Sequence, residues 1–382
     1  MLPRRAYLGA ELPPDADAFS DGGMVVAGVV AGGMAELAGL VAGDRVLAIA
    51  GVGVGALCDL GEALRRAGAR TAVELVVERA GSRLTLEVPV VAAPREPDLT
   101  YGELTRSGIR LRTVATFASA PRATFASAPR ATFASAPRAI IVLIGGIACE
   151  SIESGPFAAL AHAWTRAGYD TLRFDKRGVG DSEGGPCRDV DFATEIADAQ
   201  AMIAHARARG LPVIAFAHSV GGIIATQLAA DALIVYGTPV MRWLECLRDS
   251  TRRQLALRGA APDVIAARVA ALDDLLVRGE LNGRSAAYHA QLHALDLEAA
   301  WRAVNAPVLV VRGEHDWVVA AGDQARICEL ADADLVDVPR VDHVLGAHAD
   351  REASLRDYGA GTPDDAAAVA TISWLDSLDL AR

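Results

Sequence analysis

The chain has 382 residues, 52% of them hydrophobic, and its 37 basic and 48 acidic side chains give a net charge of −11. This length allows two or more domains, each with its own core, and the acidic balance excludes broad binding to nucleic acid or to anionic membranes. No apolar run reaches the length of a membrane span, and the N-terminus lacks the apolar core of a signal peptide. The five cysteines, Cys58, Cys149, Cys187, Cys246 and Cys328, follow no metal-ligand spacing. We therefore expect a cytoplasmic protein with reduced cysteines and no metal or other cofactor.

Residues 5–93 have the pattern of a small α+β domain, in which short strands alternate with helices. The first predicted helix, over 31–40, is punctuated by glycines, and the second, over 59–68, begins with Asp59 as its N-cap. Strands are predicted at 24–30, 72–79 and 83–91, and the run 43–51 is predicted to be an alternating strand with a turn at each end.

This segment resembles the PDZ domains that are appended to bacterial HtrA-type proteases. The matching residues are Val26 to Val29, Ala35 with Ala38 to Leu40, and Gly43 to Gly51. The resemblance implies that a loop holds the C-terminal carboxylate of a peptide or protein on backbone N–H groups, and that the next strand accepts the peptide by β-augmentation. The loop consists of Tyr7, Leu8, Gly9 and Ala10. A second interpretation stays open, in which the domain only packs against its neighbour.

The joint between the two halves contains an exact repeat. We predict a linker over 94–107 and a strand over 108–114 that alternates like an edge strand. The octapeptide ATFASAPR then occurs three times without change, at 115–122, 123–130 and 131–138. Perfect identity indicates a recent duplication and not a solenoid, whose repeats are longer and imperfect. We expect a surface excursion with little effect on the chemistry; a basic binding arm is the less favoured alternative.

From residue 139 onward, apolar runs alternate with helical patterns, which predicts a mostly parallel sheet with helices on both faces. In such sheets the functional side chains lie beyond the carboxyl ends of the strands. Ser219, Asp316 and His343 all follow predicted strands, in that order. Ser219 lies in the run Ala217-His218-Ser219-Val220-Gly221-Gly222, which has the strand–turn–helix context of a nucleophile elbow, although alanine replaces the usual first glycine.

These residues resemble the α/β-hydrolase family over about residues 100–382. Further matches are Arg173 to Gly184 and Pro307 to Val319. The resemblance implies an α/β-hydrolase fold with a helical lid over 240–304, whose apolar residues recur at helical spacing. The candidates to line a pocket beneath the lid are Trp243, Tyr288 and His289, although such side chains more often form the core of a lid.

The chemistry assigns a role to each candidate residue. A serine hydroxyl needs a base to take its proton, and imidazole suits this near neutral pH. We assign His343 as that base and Asp316 as the group that fixes its tautomer. The oxyanion needs preorganised N–H donors, and we expect one from Val220, just after the nucleophile. The second is expected from the turn after the first apolar strand, with Ile147 as the preferred donor and Gly146 as the alternative.

Nearby histidines and acids are assigned structural roles. His218 adjoins the nucleophile but points away from its oxyanion face on a tight turn. Asp342 is a weaker acid because it adjoins the base, and His348 lies too far along the loop. His289 and His293 have the i,i+4 spacing of metal ligands, but no acidic or cysteine partner is at ligand spacing, so a helix surface is favoured. Cys149, near the oxyanion turn, is interpreted as a small buried side chain.

We predict a PDZ-like domain over 1–93, a linker over 94–107 and an α/β-hydrolase domain over 108–382. The predicted activity is that of a serine hydrolase acting on a small-molecule ester, thioester or lactone. One alternative is a serine peptidase of the aminopeptidase or prolyl-peptidase type, with the PDZ-like domain recruiting peptide termini. Others are a triad enzyme that performs acyl transfer or elimination, and a non-catalytic PDZ scaffold. The presence of all three triad residues argues against the scaffold.

Overall fold

The structure is a computed structural model that describes residues 1–13, 18–118, 136–153, 155–278, 281, 283–359, 361–363 and 365–378. The octapeptide repeat therefore lies largely outside the described residues, and the surface excursion that we expect there stays a prediction. No helix within the described ranges is long and apolar enough to cross a membrane.

The N-terminal region is a small sheet packed with two helices. Its elements in chain order are β1 (Ala10–Glu11), β2 (Phe19–Ser20), β3 (Gly23–Val25), β4 (Gly28–Val29), α1 (Met34–Leu37), β5 (Arg45–Ile49), β6 (Val52–Gly53), α2 (Leu57–Ala67), β7 (Ala72–Arg79) and β8 (Ser82–Pro89). The antiparallel order is β2-β3-β5-β7-β8, with β6 paired to β5, while β1 pairs with β4. Alternate residues of β7, Val73, Leu75 and Val77, enter the core, as expected for a half-buried strand.

Two details of this region differ from the sequence-based expectation. The strand predicted over 24–30 is divided into β3 and β4, because β3 pairs with β5 whereas β4 pairs with β1. Helix α2 has Ala56 as its N-cap, and not Asp59. Asp59 lies within the first turn, where its carboxylate accepts a hydrogen bond from the Gly55 N–H at 3.2 Å.

The second domain has a central sheet with helices on both faces. Its elements are β9 (Thr100–Arg106), β10 (Ile109–Thr116), β11 (Ile140–Ile144), α3 (Pro156–Arg166), β12 (Asp170–Phe174), α4 (Phe192–Arg207), β13 (Val213–His218), α5 (Val220–Ala225), β14 (Ala232–Tyr236), α6 (Trp243–Leu257), α7 (Pro262–Arg278), α8 (Ala286–His293), α9 (Leu297–Arg302), β15 (Val308–Gly313), α10 (Ala321–Ala331), β16 (Asp334–Val338), β17 (Gly346–Ala347), α11 (Arg351–Arg356), β18 (Thr362–Pro363) and α12 (Ala366–Ser377).

Among the described strands, eight form one sheet in the order β16-β15-β14-β13-β11-β12-β10-β9. The six strands from β16 to β12 in this order are each parallel to the strand beside them. Strand β10 is antiparallel to both β12 and β9. This confirms the predicted mostly parallel sheet. Two expectations are corrected: β10 is not an edge strand, because β9 covers it, and β9 lies within the predicted linker 94–107. The polar sequence of β9 has no apolar alternation that would indicate a strand.

The central strands are buried on both faces, as parallel strands between two helical layers must be. In β11, Ile140, Val142 and Ile144 pack into the core that includes α4 and α5. Ile141 and Leu143 point to the opposite face and pack into the core that includes α3 and α12. The carboxyl ends of these strands therefore form one edge between two packed layers.

The insert between β14 and β15 is helical, with α6 to α9 in its described part. Trp243, Cys246 and Leu247 of α6 are all buried and follow the i, i+3, i+4 spacing of one helix face. This face joins the core of the sheet domain.

The N-terminal segment is attached to the sheet domain by buried ion pairs. Arg4 Nη2 lies 2.7 Å from Glu153 Oε1, and Arg4 Nη1 lies 2.6 Å from Asp181 Oδ2. Burial alone would raise the pKa of Glu153, but Arg4 and the hydroxyl of Tyr101 contribute to lowering it to about 2. Because a carboxylate with a depressed pKa favours the folded state, this attachment is strongest at neutral pH and is lost as the pH falls through about 2.

Candidate active site

Ser219 lies in the turn between β13 and α5, beyond the carboxyl end of its strand. Its φ of 56° and ψ of −124° are values that L residues rarely adopt, and such strain is concentrated at functional sites. The Ser219 N–H bonds the Tyr236 carbonyl at 2.8 Å. A β-carbon added to Gly221 would lie 2.6 Å from the Ile144 carbonyl oxygen. The turn therefore packs tightly against the end of β11, and only glycine fits at position 221.

Asp316 and His343 come together from the loops after β15 and β16. Asp316 Oδ2 lies 3.0 Å from His343 Nδ1. Since an ionised carboxylate only accepts hydrogen bonds, Nδ1 carries the proton, and Nε2 is left with a lone pair. Burial alone would raise the pKa of Asp316, but the adjacent imidazole and hydrogen bonds from the backbone N–H groups of Val318 and Val319 hold it below its usual value.

The serine and the imidazole are at the same edge of the sheet. Within the described ranges no hydrogen bond joins Ser219 Oγ to His343 Nε2. In structures without a bound substrate, hydrogen bonds between candidate catalytic groups are often long and shorten when the substrate binds. The ring of His218 lies beside that of His343, with their centroids 4.9 Å apart.

The predicted oxyanion donors lie around the serine. A β-carbon added to Gly146 would be 3.1 Å from Ser219 Cβ, which places the turn after β11 directly against Ser219. The N–H groups of Gly146, Ile147 and Val220 have no acceptor in the part of the chain that the structure describes. For Val220 this follows from its position, because the first N–H groups of a helix have no partner within the helix. These three N–H groups therefore stay the candidate donors for an oxyanion.

The structure also brings together residues that the sequence did not single out. Lys176 and Arg284 donate hydrogen bonds to the carbonyl oxygens of Gly146 and Ile147, and Glu195 pairs with both cations. They come from three distant segments, and only Lys176 lies in a run that the sequence marked.

His218 has a structural role, as predicted from its position. Its Nε2 lies 2.7 Å from the carbonyl oxygen of His343, so the protonated nitrogen anchors the backbone of His343. Burial, followed by the proximity of His343, lowers the pKa of His218 to about 3, which keeps the ring neutral.

A second His–Asp pair organises the loop that carries His343. His348 Nε2 lies 3.0 Å from Asp342 Oδ2, and Asp342 Oδ1 accepts hydrogen bonds from the backbone N–H groups of Val344 and Gly346, each at 3.0 Å. Asp342 therefore folds the loop locally, and its carboxylate is not directed at His343.

The three candidates to line a pocket, Trp243, Tyr288 and His289, lie in the core of the insert, which is the more common position for such side chains of a lid. Trp243 Nε1 donates to His289 Nδ1 at 2.8 Å, and His289 Nε2 bonds the Leu281 carbonyl at 2.8 Å. Tyr288 donates its hydroxyl to Glu195. All three are at most 4% exposed, so their polar atoms are used within the protein. His293 Nδ1 accepts a hydrogen bond from the Leu244 N–H. Because His289 is 0% exposed, the helix surface that we expected for this pair of histidines is wrong for His289.

A disulfide joins Cys149 to Cys187, which corrects the expectation that all five cysteines are reduced. It ties the segment after the oxyanion turn to a 3₁₀ turn over Cys187–Asp189. In the chain-entropy model, closing a loop of this size stabilises the fold by roughly 4 kcal/mol. Because structural disulfides are typical of oxidising compartments, the bond also runs against the expected cytoplasmic setting. The spacing of the cysteines could not indicate this pairing, because the loops meet only in the folded chain.

Thiol titration tests this pairing. Protein unfolded without reductant should expose three reactive thiols, those of Cys58, Cys246 and Cys328. Titration after reduction should then give all five cysteines of the sequence. Five thiols before reduction would contradict the disulfide.

The predicted carboxylate loop, residues 7–10, contains backbone N–H groups that make no hydrogen bond to the described chain. Gly9 adopts a φ of 68°, its carbonyl accepts the Val30 N–H at 2.8 Å, and the Leu8 carbonyl accepts the Ala35 N–H at 2.7 Å. The N–H groups of Leu8 and Gly9 have no acceptor among the residues that the structure describes. Two adjacent donors are thus directed at no group of the described chain.

Comparisons with known proteins identify both parts of the chain. A family model described as serine aminopeptidase, S33, matches residues 135–344, more than half of the chain, and a PDZ-domain model matches residues 25–79. No curated protein matches the chain.

Many solved structures are similar at low identity. The Est1E protein of Butyrivibrio proteoclasticus is 15% identical, with 72% of this chain and 97% of that chain covered and a TM-score of 0.47. An esterase of Pyrococcus furiosus is 12% identical, with 75% and 95% covered and a TM-score of 0.48. The esterase domain of a Rhodothermus marinus protein is 18% identical, with 69% and 96% covered and a TM-score of 0.41.

The S33 match spans the strands and turns that carry Ser219, Asp316 and His343. It confirms the predicted α/β-hydrolase fold, and the second match confirms the predicted PDZ domain. The chain therefore belongs to the serine aminopeptidase S33 family of α/β hydrolases and carries a PDZ domain in its N-terminal region.

Proposed function

We propose that this protein is a serine hydrolase that cleaves a small-molecule ester, thioester or lactone through an acyl-enzyme on Ser219. One observation carries the proposal: Asp316, His343 and Ser219 all follow strands of the same sheet. Asp316 and His343 form a buried pair, with 3.0 Å between Oδ2 and Nδ1, and Ser219 lies in a strained turn. Serine, base and acid in this chain order are typical of α/β hydrolases.

In the acylation step, His343 Nε2 takes the proton of Ser219 Oγ as the oxygen attacks the substrate carbonyl carbon. Asp316 stabilises the imidazolium that forms and keeps its ring oriented. The tetrahedral oxyanion accepts hydrogen bonds from the backbone of Val220 and Ile147, and such a donor typically contributes about 10²- to 10³-fold in rate. Collapse of the intermediate breaks the bond to the leaving group, which takes the proton from His343.

In the deacylation step, water takes the place of the leaving group. His343 removes a proton from the water as it attacks the acyl carbon, and the same N–H donors hold the second oxyanion. Collapse returns the proton to Ser219 Oγ and releases a carboxylic acid. The residues of one site thus perform both halves of the reaction.

A substrate panel tests the proposal. Wild type and Ser219→Ala are assayed with p-nitrophenyl esters, an acyl thioester, a lactone and aminoacyl or prolyl p-nitroanilides. The proposal expects turnover of the ester, thioester or lactone class by wild type and none above background by the variant. Equal turnover by the two proteins would contradict it.

A second candidate function is that of a serine peptidase, because the matched family model is described as a serine aminopeptidase. Amides differ from esters in needing protonation of a poor leaving group, which His343 would supply. A kcat/KM for the p-nitroanilides above that for the matched esters would favour this candidate over the first.

We also propose that the loop of Tyr7 to Ala10 binds a peptide C-terminus, since the Leu8 and Gly9 N–H groups have no acceptor within the described ranges. Peptides with a free C-terminus and an apolar last residue should bind, and C-terminal amidation should weaken binding by about tenfold or more, because charge-assisted hydrogen bonds are lost. Fluorescence polarisation measures both forms. Equal affinity for the two forms, or no binding of either, would favour the interpretation that the domain only packs.

A further inference from the structure

Two buried cations lie behind the turn that follows β11. Lys176 Nζ donates a hydrogen bond to the Gly146 carbonyl oxygen, and Arg284 Nε donates to the Ile147 carbonyl oxygen at 2.9 Å. Glu195 lies between the cations, with its Oε2 3.2 Å from Lys176 Nζ and its Oε1 paired with Arg284. The three charged side chains are 11%, 4% and 0% exposed for Lys176, Glu195 and Arg284. Charged donors that are shielded from water therefore hold both carbonyls.

This arrangement carries an electrostatic cost. Lys176 and Arg284 share a single carboxylate, that of Glu195, so a positive charge is left to face the turn. Burying charge in this way is expensive, and well-packed apolar side chains would usually stabilise a fold at least as well. A buried charge cluster of this kind is therefore a candidate for a functional role.

The first of these carbonyls belongs to the peptide group that presents one of the expected oxyanion donors, the Ile147 N–H. The Gly146 carbonyl and the Ile147 N–H are opposite ends of one planar peptide group. A hydrogen bond from a charged donor is roughly twice as strong as a neutral one. It draws electron density toward the carbonyl oxygen and makes the N–H at the other end a better donor, because linked hydrogen bonds polarise one another. The Ile147 carbonyl and the next N–H, on Ala148, are related to Arg284 in the same way.

We propose that Lys176 is a positioning residue of the oxyanion hole: its ammonium group fixes and polarises the Gly146–Ile147 peptide group, so that the Ile147 N–H stabilises the oxyanion formed on attack by Ser219. Arg284 holds the next peptide group, that of Ile147 and Ala148, in place, and Glu195 holds the two cations in place. The proposal rests on the proposed hydrolase function, since it concerns a charge that forms only during that reaction.

A control residue is needed to distinguish this role of Lys176 from a purely structural role of a buried ion pair. The neighbouring Arg177 provides the comparison, because its Nε lies 2.7 Å from Asp198 Oδ2 in another ion pair with a buried carboxylate. Arg177 makes no hydrogen bond to the turn of 145–148 in the described part of the structure. Arg177→Met therefore removes a cation from the same run without touching the turn, and Lys176→Met removes the one that binds it.

The experiment compares wild type, Lys176→Met, Lys176→Arg and Arg177→Met on an oxo-ester and its thiono analogue. Sulfur accepts hydrogen bonds poorly, so oxyanion donors accelerate the thiono substrate less. Lys176→Met should lower kcat for the oxo-ester by about 10- to 100-fold with KM nearly unchanged, because the lost interaction is made in the transition state. The oxo-to-thiono rate ratio should fall by about fivefold or more, since the oxo substrate depends more on the donors. Lys176→Arg should restore most of both, and Arg177→Met should leave the ratio unchanged.

The pH profile gives an independent readout. Burial, opposed by Glu195 and reinforced by Arg284, lowers the pKa of Lys176 to about 8. Since the protonated amine is the active form, kcat should decline as the pH rises through about 8 in wild type, and not in Lys176→Arg. The groups that face the amine are Glu195, Arg284 and His218, and the pKa of His218, about 3, keeps that ring neutral over this range.

Three results separate the possible failures. Turnover by wild type with an unchanged oxo-to-thiono ratio in folded Lys176→Met would overturn the role of Lys176 and leave the hydrolase function intact. No turnover and no labelling of wild type would overturn the hydrolase function and this inference together. If Lys176→Met does not fold, as judged by thermal unfolding, Lys176→Arg decides: retention of the decline above pH 8 would contradict the proposal.

Discussion

Replacing Asp316 with asparagine should lower kcat by about four orders of magnitude without unfolding the protein. The amide has nearly the shape of the carboxylate, but its oxygen and nitrogen no longer favour a proton on His343 Nδ1. The ring can then present the wrong tautomer to Ser219, and the imidazolium loses its counter-charge. Measurement of kcat on the best ester from the panel, together with the melting temperature, tests this result.

Asp323→Asn is the matched control for this substitution. Asp323 is also buried, at 4% exposure, and its Oδ1 accepts hydrogen bonds from the backbone N–H groups of Val240 and Met241 at 3.2 and 3.0 Å. It contacts no histidine through any hydrogen bond in the described chain. A change in kcat within about threefold is expected, because surface and core changes away from the reacting atoms act mainly on stability. Activity of Asp316→Asn comparable to that of the control would remove Asp316 from the mechanism.

Replacing Gly237 with alanine should lower kcat by about 10²-fold, although residue 237 contributes no side chain to the reaction. An added β-carbon would lie 2.8 Å from His343 Nδ1 and 2.9 Å from Asp316 Oδ2, closer than real β-carbons come. The methyl group must therefore displace the ring, the carboxylate or both. Because displacement of a catalytic group by about 1 Å can cost 10²-fold in rate, the loss should appear in kcat.

Gly210→Ala separates this contact from backbone strain. Gly237 and Gly210 both have positive φ, at 57° and 73°, but no atom lies within 4 Å of a β-carbon added to Gly210. Each alanine should therefore destabilise the fold by about 1–2 kcal/mol, since L residues are strained in this conformation. Only Gly237→Ala should lose activity. Equal kcat values for the two variants would show that position 237 does not constrain the acid–base pair.

The three candidate triad residues could be predicted because each follows a strand of a parallel sheet. Chain order and alternation of apolar runs with helices place such positions at one edge. Ser219 added a local signal, since its small neighbours allow a tight turn against β11. These inferences depend on local sequence and on one topological rule, and both can be derived without coordinates.

The residues behind the oxyanion turn could not be predicted in the same way. Lys176, Glu195 and Arg284 come from a loop, from α4 and from the segment before α8, and their contacts exist only after the insert packs onto the sheet domain. A charged residue in the sequence is far more often at the surface, so nothing marks these three for burial. The Cys149–Cys187 bond was missed for a related reason, because it joins two loops that approach only in the folded chain.

Hydrophobic periodicity in the sequence did not predict strand β9, and it did not predict what surrounds the pocket candidates. β9 has a polar sequence and is recognised by its pairing with β10, since its own pattern gives no strand signal. Trp243, Tyr288 and His289 were correctly placed on helices of the insert, but helical spacing does not distinguish a face that lines a pocket from one that joins the core.

Labelling with a fluorophosphonate tests the central claim most directly, because this reagent reacts covalently with an activated serine and requires no knowledge of the substrate. Wild type and Ser219→Ala are treated in parallel, and the modified peptide is identified by mass spectrometry. The proposed function predicts one label per wild-type chain, on Ser219, and none on the variant. Folded wild type that stays unlabelled, or a label that persists in Ser219→Ala, would contradict it.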